Sequence, residues 1–145
     1  MIEIERSFRV RRPVEDVFEY MSRFENDREW RAEISDIRRT TELGRGIGER
    51  YEQMLEVGGR QVPTDFEVIA FENNRHIGWR GTSGDITGEG SYDFTADGGS
   101  TRVDARAKVD VSGAARLTEP YIEKQLAIHG QEDFRRLRRL LETRA

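Results

Sequence analysis

The stretch ITGEGSYDFTADGGSTRVDARAKVDV, residues 86–111, reads as two β-strands joined by a turn, and it decides how the rest of the chain is arranged. In its second half Thr101, Val103, Ala105, Ala107, Val109 and Val111 alternate with Arg102, Asp104, Arg106, Lys108 and Asp110, the period of a strand with one face buried and one in water. Asp97-Gly98-Gly99 supplies the turn. The first half carries the same parity on Ile86, Gly88, Gly90, Tyr92 and Phe94, but has glycine twice where a packed strand carries Val or Leu. Protein interiors are dense, so side chains missing from an inward face require either a closely approaching element or a hollow.

Moving toward the N-terminus, further strands are predicted over 75–83, 60–71 and 49–57, separated by Gly84-Asp85, Asn73-Asn74 and Gly58-Gly59, with another over 35–42 around Ile37. Together these six make an antiparallel meander. Residues 2–10 form one more strand, with Ile2, Ile4, Phe8 and Val10 on one parity and Arg6 as the single exception. Pro13 opens a short helix over 14–24 carrying Val14, Val17, Phe18 and Met21 at helical spacing. The polar segment FENDREWRAEI allows one or two more turns, anchored by Trp30 and Ile34 at i, i+4.

Beyond the last strand lies a long helix over 117–143, with a stripe made of Leu117, Tyr121, Ile122, Leu126, Phe134, Leu137, Leu140 and Leu141. Its length is roughly 40 Å, enough to cross a sheet. Two starts are open: a Thr118 cap with Pro120 in the first turn, or an earlier Ser112 cap with a kink at Pro120. The fold class is therefore α+β, a curled antiparallel sheet of about seven strands around a C-terminal helix, in one domain over 1–145.

Composition narrows the function. With 145 residues, 35% hydrophobic and 36% charged, the chain can bury about 70% of its unfolded surface in one core. A net charge of −4 argues against nucleic acid, since phosphate binding relies on clustered Lys and Arg. The absence of cysteine excludes disulfides, thiol nucleophiles and thiolate metal sites. No signal-peptide pattern or membrane-spanning run is present, so a cytoplasmic protein without membrane insertion is expected. Two histidines without HExxH spacing make a metal site unexpected, and no cofactor is implied. Gly81-Thr82-Ser83-Gly84 lacks the spacing of a nucleophile elbow, and Gly44-Arg45-Gly46-Ile47-Gly48 has neither a following helix nor a P-loop lysine. The run Arg135, Arg136, Arg138 and Arg139 reads as a solvated helix face.

The chain resembles the START-like superfamily of helix-grip proteins, and within it the polyketide cyclase/dehydratase type. The resemblance rests on RRPVEDVFEYM after the first strand, Trp30, Gly46-Ile47-Gly48, GGSTRVD before the last strand and FRRLRRLLE near the C-terminus. It implies a deep cavity between sheet and helix for an apolar or amphipathic small molecule, in a superfamily containing carriers as well as enzymes.

Parity then names the lining. The inward set is Tyr51, Gln53, Leu55 and Val57; Val62, Thr64, Phe66 and Val68; Ile77, Trp79 and Gly81; Gly88, Gly90, Tyr92 and Phe94; Val103, Ala105 and Ala107. The helix adds Leu126 and His129 beside Gly130, while His76 falls on the outer parity. Gln53, Thr64, Tyr51 and Tyr92 can orient a ligand carbonyl or hydroxyl. Three functions are compatible: binding of a lipid, polyketide or aromatic-type molecule; a cyclase or dehydratase using Tyr51, Tyr92 or His129 for acid/base work; or a protein-interaction module using the outer sheet face or the arginine-rich helix end. Homodimerisation is left open.

Overall fold

The computed structural model describes residues 1–144 apart from Leu43 and Gly58, so the Gly58 half of the expected Gly58-Gly59 turn lies outside the described residues. Strand β1 (Ile2–Val10) leads into α1 (Val14–Met21) and a 3₁₀ turn (Phe24–Glu29). Then come β2 (Ile34–Arg39), β3 (Arg50–Val57), β4 (Arg60–Glu72), β5 (His76–Ser83), β6 (Ile86–Asp97) and β7 (Ser100–Val111). A second 3₁₀ turn (Gly113–Thr118) runs into α2 (Glu119–Thr143).

The seven strands form one antiparallel sheet in the order β1-β7-β6-β5-β4-β3-β2, with β1 and β2 at its edges, so it curls without closing. The tight turns use left-handed residues where the sequence has the right ones: Asn74, Gly84 and Gly98 have φ of 63°, 59° and 63°. An irregularity between Val68 and Ala70 in β4 shifts the register, so that Val68 faces Trp79 and Phe71 faces Ile77. Both Val68 and Phe71 therefore serve the inner face, and Ile69 is left exposed.

Helix α1 begins with the amides of Asp16 and Val17 bonded to Pro13 O at 3.0 and 3.1 Å, and it buries Val17, Phe18, Tyr20 and Met21. It ends at Met21 rather than residue 24, and the next turn is 3₁₀ and precedes Trp30. Ile34 accordingly starts β2 instead of completing a helical pair with Trp30, because the chain must turn back to the sheet edge. Trp30 remains buried beneath α2 against Phe134, with ring centroids 5.6 Å apart.

The long helix runs alongside β1 rather than across the strands. Four contacts advance in step along the two elements: Met1 N to Glu119 at 3.0 Å, Arg6 Nη2 to Ala127 O at 2.6 Å, Phe8 stacked on Phe134, and the Arg11 amide to Glu142 at 2.9 Å. Ten strand residues and 23 helical ones both span about 33–35 Å, so extended strand and helix match in length. The helix starts as in the first of the two expected arrangements, with Thr118 at the N-cap and Pro120 in the first turn, but Thr118 makes no side-chain capping bond. Gly113–Thr118 is 3₁₀, and Thr118 Oγ1 bonds back to Ala115 O at 2.6 Å. Leu117, expected in the buried stripe, is 90% exposed because it lies in the 3₁₀ turn ahead of the α-helical phase, and Tyr121, in the first turn of α2, is 51% exposed.

Candidate functional site

The inward face divides into two parts. At one end, α1 and the first 3₁₀ turn press aromatic rings against the sheet. Phe24 meets Tyr51, Phe66 and Trp79 edge-on at 5.4, 5.2 and 5.3 Å between centroids, and Phe18 meets Phe71 and Phe94 likewise. Phe134 closes this part from the helix side, stacked on Phe8 at 4.6 Å.

This packing assigns several expected lining residues to the core. Tyr51 and Phe66 are buried and stacked on each other at 5.0 Å. The Tyr51 hydroxyl donates to Glu49 Oε1 at 3.0 Å, and burial, followed by the nearby charges of Glu25 and Glu49, pushes the phenol pKa well up. Tyr92 is buried as well, and its phenol is raised by burial and then by Asp27 and Asp133. Gly90 has no hollow beside it: a Cβ there would lie 2.5 Å from Trp79 Cζ2, so the glycine makes room for the indole of its cross-strand partner. Gly81 marks a close backbone approach, since its Cβ would stand 2.8 Å from Asp65 O.

At the other end, the inward residues of β3 and β4 beyond Tyr51 and Phe66, namely Gln53, Leu55, Val57, Val62 and Thr64, are only half-buried. Gln53 and Thr64 face each other across β3 and β4, and both Gln53 Oε1 and Thr64 Oγ1 are buried without a hydrogen-bond partner in the protein. A Cβ on Gly88 would touch only Lys108 O and Val109 Cγ2, at 3.5 and 3.8 Å. Ala107, Ile122, Leu126 and His129 are half-buried, whereas Ala105 is buried next to Tyr92 in register. His129 Nε2 lies 3.0 Å from Gln125 Oε1 on the same helix. These half-buried residues make an open-sided wall on the inner face. Because α2 follows β1, its N-terminal half leaves the β3–β4 side uncovered. Two hollows of about 190 and 260 Å³ lie around Thr87 and Lys108 and around Gly78 and Ser91, lined mainly by outward-facing residues.

Between the two parts sits a polar cluster that parity did not reveal. Asp27, in the 3₁₀ turn, is 2% exposed, and its Oδ1 has no hydrogen-bond partner in the protein. Burial raises its carboxyl pKa to about 7, against the opposing pull of Arg31, 3.8 Å away, and of the Trp30 indole N–H. Asp133 on α2 accepts from the Ala32 amide at 3.3 Å and from Arg136 Nη1 at 3.2 Å, and Arg136 also reaches Trp30 O at 2.7 Å. Arg136 is thus a tie between helix and loop, unlike its exposed neighbours Arg135, Arg138 and Arg139. His76 is half-buried, with Nδ1 2.7 Å from Asp93 Oδ1.

Residues 1–142 match the family described as polyketide cyclase / dehydrase and lipid transport. The chain belongs to that family. A START superfamily protein from Mycobacterium smegmatis shares the fold at a TM-score of 0.81 and 17% identity, covering 97% of each chain. TTHA0849 from Thermus thermophilus gives a TM-score of 0.80 at 15% identity over 94% of each chain. The Zhui aromatase/cyclase from Streptomyces sp. R1128 gives 0.75 at 12% identity, covering 97% of this chain and 90% of that one. At such identities the likeness speaks for the helix-grip fold alone. No curated protein matches the chain. Among the described residues, no helix is long and apolar enough to cross a membrane.

Proposed function

We propose that this member of the family binds a hydrophobic or amphipathic small molecule, of lipid, polyketide or aromatic type, in the cleft between the β3–β6 face and the N-terminal half of α2. The observation that carries the reading is the pair Gln53 Oε1 and Thr64 Oγ1, buried and unpartnered at the inner end of an otherwise apolar wall. Leaving such groups unpaired costs about 1–3 kcal/mol each, a cost that a bound polar group removes. Leu55, Val57, Val62 and Leu126 supply the apolar area whose burial drives binding.

The neutral fluorescent probe N-phenyl-1-naphthylamine tests this. The wild-type protein is expected to bind it saturably. Gly88→Leu, which projects a side chain into the open space, weakens binding about tenfold or more without lowering the melting temperature. Unchanged binding in that variant places the probe elsewhere and ends the cleft reading.

A second reading, cyclisation or dehydration of such a molecule, draws on Asp27, a carboxyl that holds its proton up to about pH 7 and lies close enough to raise the Tyr92 phenol. It predicts turnover of a polyketide-like substrate that is lost in Asp27→Asn.

A further inference from the structure

Arg6 interrupts the apolar parity of β1, and the structure gives its guanidinium a place that neither the packed rings nor the helix explains. It points from the inner face of β1 toward α2, where Nη2 donates to Ala127 O at 2.6 Å. Nε is buried and has no hydrogen-bond partner in the protein. Among the described residues no carboxylate forms an ion pair with Arg6. Asp133, one turn on from Gly130, is committed to Ala32 and Arg136.

The surroundings are cut back to admit this side chain. Its cross-strand partner is Ala105, the next inward pair along β1 and β7 is Ile4 with Ala107, and a Cβ on Gly130 would stand 3.2 Å from Nε. Three features that look unrelated in the sequence, an odd arginine, the alanine paired with it and a helix glycine, therefore meet at one side chain. A guanidinium offers five N–H donors, is always charged and fits a carboxylate through two parallel bonds. Its Nε is shut away from water with neither a hydrogen-bond acceptor nor a counter-charge beside it, and a ligand anion is the missing partner.

We propose that Arg6 anchors the head group of the ligand, and that the cleft takes an amphipath carrying a single carboxylate. This rests on the cleft-binding reading above. A carboxylate is favoured over a phosphate monoester because one cation balances one negative charge, whereas a phosphate carries about −1.5 to −2 and leaves an excess in the apolar cleft.

Displacement of bound N-phenyl-1-naphthylamine by dodecanoate, dodecanol and dodecyl phosphate separates the possibilities. Wild type is expected to prefer dodecanoate over dodecanol by about tenfold, as a charge-assisted contact provides, and over dodecyl phosphate. Arg6→Gln loses the preference for dodecanoate while its affinity for dodecanol stays unchanged, and Arg6→Lys, which keeps the charge and guards against a merely unfolded variant, retains part of it. Equal displacement by dodecanoate and dodecanol in wild type, or a preference that survives in Arg6→Gln, overturns the anchor and leaves the cleft intact. Tighter binding of dodecyl phosphate overturns the carboxylate. Failure of the neutral probe itself to bind removes both readings together.

Discussion

Phe24 and Gly88 both border the inner face of one sheet, and they have opposite surroundings. Phe24 is met by three rings within 5.4 Å of its centroid, while a Cβ on Gly88 would reach only its own cross-strand neighbours. The same strands run through both regions: β3 carries Tyr51 into the ring cluster and Gln53 into the cleft, and β4 does likewise with Phe66 and Thr64. A single register thus joins a region that holds the fold together to one that remains available. Stability and binding are separable along one strand because the first 3₁₀ turn and α1 fill one end only.

The strongest way to break this comparison is to remove a large side chain from each region. Phe24→Ala should cost about 3–5 kcal/mol, since it empties a space bounded by rings that cannot collapse together. Leu126→Ala, on the half-buried face of α2, should cost under about 1 kcal/mol, because little apolar area is lost and alanine favours helix. Urea unfolding midpoints decide it, and equal losses would mean that the cleft is as tightly built as the ring cluster.

The border between the regions is sharpened by pH. Asp27 keeps its proton up to about pH 7 in the native state, against 3.8 for an ordinary aspartate. Between those values the native state binds more protons than the unfolded one, so stability falls as pH rises through this window and levels off above it. Asp27→Asn, which stays neutral, should flatten this dependence and be the more stable protein by a few kcal/mol at pH 8. Midpoints measured at pH 5 and pH 8 check the sign, and parallel slopes in wild type and variant would remove Asp27 as its source.

The sequence exposes the fold more fully than the site, and particular residues show why. In β7 and β1 the two-residue period holds because each strand buries one face, so Val103, Val109, Phe8 and Val10 announce their orientation with no knowledge of their neighbours. Asp27 gives no such signal. It lies in the polar run FENDREWRAEI, and only the tucking of a 3₁₀ turn between sheet and α2 buries it. Arg6 is conspicuous as an exception on its strand, but its meaning depends on where α2 docks. Leu117 misleads for the opposite reason: a correct helical period was extended into a segment that is not α-helical.

Gly88 and Gly90 carry the comparison down to two atoms. They are two residues apart on one strand and one parity, so no sequence pattern separates them, yet their partners differ: Gly90 pairs with Trp79 and Gly88 with Gly81. The indole of Trp79 lies over Gly90, and an added methyl there would meet it at 2.5 Å, which forces the ring off its seat between Phe24 and Tyr92. Gly90→Ala should therefore cost about 1–3 kcal/mol by overpacking and perturb near-ultraviolet circular dichroism from the tryptophan. Gly88→Ala meets nothing closer than 3.5 Å and also reduces the freedom of the unfolded chain, so it should be neutral or stabilise by about 0.5 kcal/mol. A loss at Gly88 equal to that at Gly90 would show that the wall of the cleft is already filled, and the distinction between the two ends of the sheet would fall with it.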